Sequence, residues 1–131
     1  MTVLPDTSIW VDYLRSARAG RAAAIDRLLA AGEVVTCGPI VAELLAGTAT
    51  GQRAALWQVL SGVRWFDFAR SHWRRVGEIA AALGERGATV PLTDVEIAVA
   101  AVASDAALWS RDSDFERIAQ VLPDLKRYRA A

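Results

Sequence analysis

Cysteine, histidine and lysine are scarce in this chain, and each scarcity excludes something. Cys37 is the only cysteine, so no internal disulfide can form, and Cys37 with the lone histidine, His72, cannot supply the four ligands of a structural zinc site. Net charge is missing as well: 15 basic residues balance 15 acidic ones, so no global positive field marks the chain as an RNA-coating protein. Long apolar runs are absent. The longest, Ile97 to Ala103, falls far short of the ~18 residues needed to cross a bilayer. The segment Met1 to Ser8 has neither the basic start nor the apolar stretch of a signal peptide, so the expected location is the cytoplasm. No repeat, linker or low-complexity tract interrupts the sequence.

What is present is enough for one globular domain. The chain has 131 residues, 53% of them hydrophobic and 23% charged, which fits a single domain over residues 1–131 and rules out disorder. Every basic residue except Lys126 is arginine, a side chain suited to bidentate contacts with phosphate or carboxylate. Along the chain, strand-like and helix-like segments alternate. Val3 to Pro5 reads as a strand that breaks at Asp6-Thr7-Ser8, a cluster suited to capping a helix over Ile9 to Leu14. Arg21 to Ala31 has helical spacing and stops at Gly32; Glu33 to Cys37 reads as strand; Pro39 suits the first turn of a helix running to about Gly47. A helix carrying Leu56, Val59 and Leu60 follows Thr50, then a strand over Val63 to Phe68 and a long helix over Ser71 to Arg86. Thr93-Asp94-Val95-Glu96 matches a capping box for a helix to about Ala103. Ala106 to Ser110 is the next strand, a short helix starts near Asp112 to Asp114, and Lys126 to Tyr128 is a candidate edge strand. The alternation predicts an α/β sandwich with a mainly parallel central sheet flanked by helices, whose ligand site lies off the carboxyl ends of the strands.

Most acidic residues have ordinary neighbours at helical spacing, such as Glu78 after Arg74 and Arg75, Asp12 before Arg15, and Asp124 before Arg127. Glu96 is assigned to the capping box. Four others interrupt apolar runs or end apolar strands: Asp6, Glu43, Asp94 and Asp112. Asp6 and Asp112 equally suit helix caps, and Asp94 suits the first turn of a helix. Glu43 has no such local role, and neither Glu43 nor Asp94 has a cation three or four residues away. Isolated buried carboxylates are costly, whereas carboxylates converging on a divalent ion are held ionised by it. Oxygen ligands without Cys or His favour Mg²⁺ or Mn²⁺. Asp114 stands close enough to Asp112 to join such a site, although Arg117 offers it an ion pair. Carboxylate-held Mg²⁺ suits phosphodiester hydrolysis, which needs no protein nucleophile. Ser8 has no histidine base beside it, His72 reads as a surface residue, and Cys37 reads as core filling. The five tryptophans suit core or interface more than base stacking.

Asp6-Thr7-Ser8 after the first strand, Glu43-Leu44 one turn after Pro39, Asp94 with Ile97-Ala98, and Ser110 to Phe115 occur here in the order found in a known family. The chain resembles the PIN-domain ribonucleases, specifically the VapC toxins of bacterial and archaeal toxin–antitoxin pairs, over essentially its whole length. The resemblance implies a PIN fold, a Mg²⁺- or Mn²⁺-dependent endoribonuclease acting on tRNA, rRNA or mRNA, and a VapB-type antitoxin that docks on the toxin and blocks its site. It implies a homodimer or a toxin–antitoxin hetero-oligomer. By the same resemblance Asp6 and Asp94 are the principal metal ligands, Asp112 completes the cluster, and Glu43 supports metal and water. Asp114 stands behind them or binds a second ion, and Ser8 orients Asp6. Ser110 stands where the family usually has threonine. Arg111, Arg74 and Arg75 are candidate phosphate contacts, with a solvated face as the plainer explanation. The stripe of Leu56, Val59 and Leu60 suits either a partner surface or the core.

Other acidic-pocket folds fit less well. A receiver domain needs a lysine after its last strand followed by a helix, and Lys126 has only Arg127 to Ala131 beyond it. A haloacid-dehalogenase-like phosphatase needs a second aspartate where Ser8 stands. The remaining alternative is a PIN-like nuclease, or an inactive acidic-pocket binding or signalling domain, outside a toxin–antitoxin pair.

Overall fold

The computed structural model describes residues 1–15 and 20–130. Among the described residues four strands of three residues each alternate with helices: β1 (Val3–Pro5), α1 (Thr7–Arg15), α2 (Gly20–Ala30), β2 (Val35–Cys37), α3 (Gly38–Ala46), α4 (Arg53–Ser61), β3 (Arg64–Phe66), α5 (Arg70–Glu85), α6 (Leu92–Ala103), β4 (Ala107–Trp109) and α7 (Asp114–Val121). A 3₁₀ turn, Thr50–Gln52, leads into α4. Local signals set several of these boundaries. Gly32 takes φ +69°, and its N–H donates to Leu29 O at 3.1 Å while that of Glu33 donates to Leu28 O at 2.9 Å. This paired closure of α2 needs a left-handed residue and turns the chain into β2. Pro39 sits in the first turn of α3, where its missing N–H costs nothing.

β1 pairs with β4 and β2 with β3, both in parallel. A parallel bridge between Val3 and Val34, with the Val3 N–H donating to Glu33 O at 2.8 Å, joins the two ladders into the order β3-β2-β1-β4. The chain therefore steps one way from β1 to β3 and then jumps back past β1 to β4. With the right-handed crossovers that parallel strands favour, this order assigns α1–α4 to one face of the sheet and α5 and α6 to the other. Most helix contacts follow this division, because α1 packs on α2 and α3, and α3 on α4, while α5 packs on α6 and α7; α3 also meets α6. The expected layering of helices on both faces is observed. Beyond β4 the expected edge strand reduces to one bridge, with the Leu108 N–H on Lys126 O and the Tyr128 N–H on Leu108 O, each at 2.8 Å.

Trp10, Phe115, Leu4, Ile9 and Leu108 are fully buried. Helix α6 is apolar nearly all round and lies within the core, with Val95 and Ile97 to Ala101 buried. Its first residue follows Pro91, which caps it without a side-chain hydrogen bond, so the expected capping box does not form. Proline fixes φ and sets an extended entry two residues earlier than the sequence signal implies, placing Thr93 inside the helix. Among the described residues no helix is long and apolar enough to cross a membrane.

Candidate metal-binding active site

The reversal of strand order falls between β1 and β4, and in a parallel sheet the crevice at such a reversal opens beyond the carboxyl ends of the strands. Asp6 enters this crevice directly after β1, its N–H donating to Trp109 O at 2.9 Å. The residue is 5% exposed, yet its carboxylate is supported on both oxygens. Oδ1 accepts the Ile9 N–H at 3.1 Å and the Ser8 hydroxyl at 2.6 Å, and Oδ2 accepts the Ser110 hydroxyl. Asp6 thus caps α1 and faces the site at once. Ser110 Oγ also accepts the Asp112 N–H at 3.0 Å, and Asp112 Oδ1 accepts the Asp114 N–H at 2.9 Å. These bonds fold the exit of β4 into a tight turn carrying both aspartates.

Asp94 reaches the same place from the first turn of α6. One carboxylate oxygen from each of Asp94, Asp112 and Asp114 lies within 4.8 Å of the others. Asp94 Oδ2 is buried and accepts no hydrogen bond among the described residues. Burial first, then the Asp114 carboxyl, then the charges of Asp112, Asp114 and Asp6, push the Asp94 carboxyl from 3.8 to about 7. An orphaned carboxylate oxygen within a cluster of hard oxygen donors fits a divalent cation, which would relieve the repulsion that raises Asp94.

Glu43 stands on α3, held by the hydroxyl of Thr7, the residue after Asp6, which donates to Oε1 at 2.6 Å. The sequence implied apolar surroundings for all four key carboxylates, but Glu43 and Asp112 are exposed. The reason is that the apolar run around Glu43 is partly alanine, and Ala42 and Ala46 lie on the open face of α3 while Ile40, Val41 and Leu44 are buried. Arg111 binds Asp12 Oδ2 at 2.6 Å, tying the β4 exit turn to α1. Asp114 pairs with Arg117 as its spacing implied. Arg74 pairs with Glu78 at 3.4 Å on an exposed face, and Arg75 lines a cleft with Val99, Val102 and Ala103. That cleft lies more than one turn along α6 from Asp94.

A family model described as the PIN domain matches residues 3–121. The chain belongs to the PIN-domain family. It is similar to the ribonuclease VapC11 of Mycobacterium tuberculosis, with 31% identity over 124 residues, covering 91% of this chain and 92% of that protein. Its fold matches VapBC2 of Rickettsia felis, solved bound to a promoter DNA fragment, with a TM-score of 0.80, 22% identity and full coverage of both chains. It also matches VapC20 of M. tuberculosis, described as a sarcin-ricin loop cleaving toxin, with a TM-score of 0.62 and 20% identity over 88% of this chain and 93% of that one.

The structure of this PIN domain also shows what its sequence concealed. Glu96, assigned by sequence to a capping box, is half-buried on α6, and burial together with the charge of Glu43 raises its carboxyl. A glutamate two residues after Asp94 in an otherwise apolar helix was the available signal. His72 is a half-buried ring against Phe66 and Phe68, its Nδ1 accepting the Ala69 N–H at 2.8 Å, and so is more than a surface residue. Cys37 is fully buried as expected, and burial pushes its thiol up to about 12. Leu56 and Leu60 belong to the core, whereas Val59 is 45% exposed on a groove of about 480 Å³. Val11, Leu14 and Leu44 line the same groove, with Arg15 and Glu43 among its polar residues.

Proposed function

We propose that this PIN domain is an endoribonuclease toxin of a type II toxin–antitoxin pair, hydrolysing RNA phosphodiester bonds with Mg²⁺ or Mn²⁺. The observation that supports it best is the convergence of Asp94, Asp112 and Asp114 around the unpartnered Asp94 oxygen at the β1–β4 crevice. Asp94, Asp112 and Asp114 would hold the ion, with Asp6 as the further carboxylate facing it from β1. The oxygen-only donor set selects Mg²⁺ or Mn²⁺ over zinc or copper. A divalent ion there supplies water activation and charge neutralisation at the phosphate. Glu43, open to solvent and oriented by Thr7, would take the proton of the attacking water. Ser8 and Ser110 keep Asp6 from rotating away. Arg111, half-exposed and next in sequence to Asp112, would contact the phosphate.

The names and partners of the relatives support a VapB-type antitoxin as inhibitor. The apolar groove suits an antitoxin segment, because Glu43, the proposed proton acceptor, is among its lining residues. An apolar stretch seated there would deliver a following Arg or Lys to the acidic cluster. Incubating the purified, antitoxin-free chain with total cellular RNA tests the reading. Discrete fragments are expected with Mn²⁺ or Mg²⁺ and should vanish in EDTA and in Asp94→Asn and Asp112→Asn. Absence of cleavage by folded protein in either metal would overturn it.

A further inference from the structure

The acid-bearing turn after β4 is gripped by a residue that belongs to none of the acidic motifs described above. Arg127 lies in the C-terminal segment that bridges to Leu108, so its backbone is fixed to the edge of the sheet. From there its guanidinium donates to Ser110 O at 3.2 Å and lies over the Phe115 ring, 5.8 Å from the centroid. Nε is buried and has no hydrogen-bond partner among the described residues. One side chain thus touches both ends of the stretch from Ser110 to Phe115, and this stretch contains Asp112 and Asp114.

We infer that Arg127 is a positioning residue for the metal cluster, holding the Ser110–Phe115 turn so that Asp112 and Asp114 meet Asp94. The physical case has two parts. Three carboxylates within 4.8 Å repel one another when ionised, and that repulsion works to open the turn that carries two of them. The restraint needs to bind backbone at one end and a ring face at the other, and a planar guanidinium does both. The positive charge also offsets part of the local negative charge without occupying the ion's place, since Arg127 approaches through the Ser110 carbonyl while the Ser110 hydroxyl faces Asp6. Arg111, bound to Asp12, restrains the same turn from the α1 side.

The inference rests on the metal-site reading above, and the test separates the two. Mn²⁺ binding to the full chain, without RNA, is measured by calorimetry for wild type, Arg127→Ala, Arg127→Lys and Asp112→Asn, alongside thermal unfolding of each in EDTA. Arg127→Ala should bind Mn²⁺ on the order of tenfold more weakly, as expected when a partner behind metal ligands is removed. Arg127→Lys, with the charge but not the planar face, should fall between. In RNA cleavage at saturating Mn²⁺ the loss should shrink, because the ion itself then orders the turn. A folded Arg127→Ala that binds Mn²⁺ within twofold of wild type, with only a lower melting temperature, would reduce Arg127 to a structural residue and overturn the inference. If Arg127→Ala does not fold, Arg127→Lys decides by the same criterion, with wild-type affinity refuting it. A wild-type chain that binds no Mn²⁺ would overturn the metal reading, and this inference with it.

Discussion

Replacing Ser110 with alanine removes one hydroxyl that performs two tasks. It donates to Asp6 Oδ2 and accepts the Asp112 N–H. Asp6 is 5% exposed, so water cannot readily replace the lost donor, and a hydrogen bond to a charged buried acceptor is worth about 1.5–3 kcal/mol. The Asp112 N–H lies on an exposed residue and finds water, so it adds little. For a domain of this size about 4 °C of melting temperature corresponds to 1 kcal/mol, which places Ser110→Ala about 6–12 °C below wild type. Ser110→Thr keeps the hydroxyl and should remain within about 1 kcal/mol of wild type, the range of a tolerated surface-edge change. Thermal unfolding in EDTA by circular dichroism measures both. RNA cleavage should fall about 10- to 100-fold in the alanine variant and be largely retained in the threonine variant. Equal melting of Ser110→Ala and wild type would refute the idea that Asp6 depends on this bond; equal damage from Ala and Thr would show that shape, not the hydroxyl, matters.

The Asp94 carboxyl, raised from 3.8 to about 7, makes the metal-free fold pH-dependent. Between those values the folded chain keeps a proton that the unfolded chain releases, so this contribution is full below about pH 4 and is lost as pH rises through 7. Melting in EDTA should accordingly be lower at pH 8 than at pH 5, and less pH-dependent in Asp94→Asn; identical pH profiles would count against the cluster. Thr7→Val removes the donor to Glu43 at an exposed position, so stability should change by less than about 1 kcal/mol while cleavage drops roughly tenfold and Mn²⁺ affinity holds. Unchanged turnover would show that Glu43 needs no fixed orientation. Cys37, buried and with its thiol pushed up to about 12, should resist iodoacetamide at pH 8 until denaturant is added. Rapid labelling of the native chain would contradict its place in the core.

The sequence by itself determined the succession of strands and helices, because its signals are local. Gly32 ends α2 through a left-handed turn, Pro39 starts α3, and the apolar run of α6 marks a helix buried on nearly all sides. It also marked the strand-to-helix junctions where Asp6 and Asp112 stand and the first turn of α6 that carries Asp94, since polar residues at such junctions stand out against apolar surroundings. Errors arose where a local pattern had two physical outcomes: Thr93 resembled a cap until Pro91 took that place, and the alanines around Glu43 counted as apolar although they face solvent. Only the tertiary structure decided which groups meet. The strand order β3-β2-β1-β4 brings Ser110 onto Asp6 from 104 residues away, draws Asp114 beside Asp94, and sets Arg127 under the acid-bearing turn. Pairings of that length follow from how the chain crosses the sheet and buries its core, and no short stretch of residues encodes them.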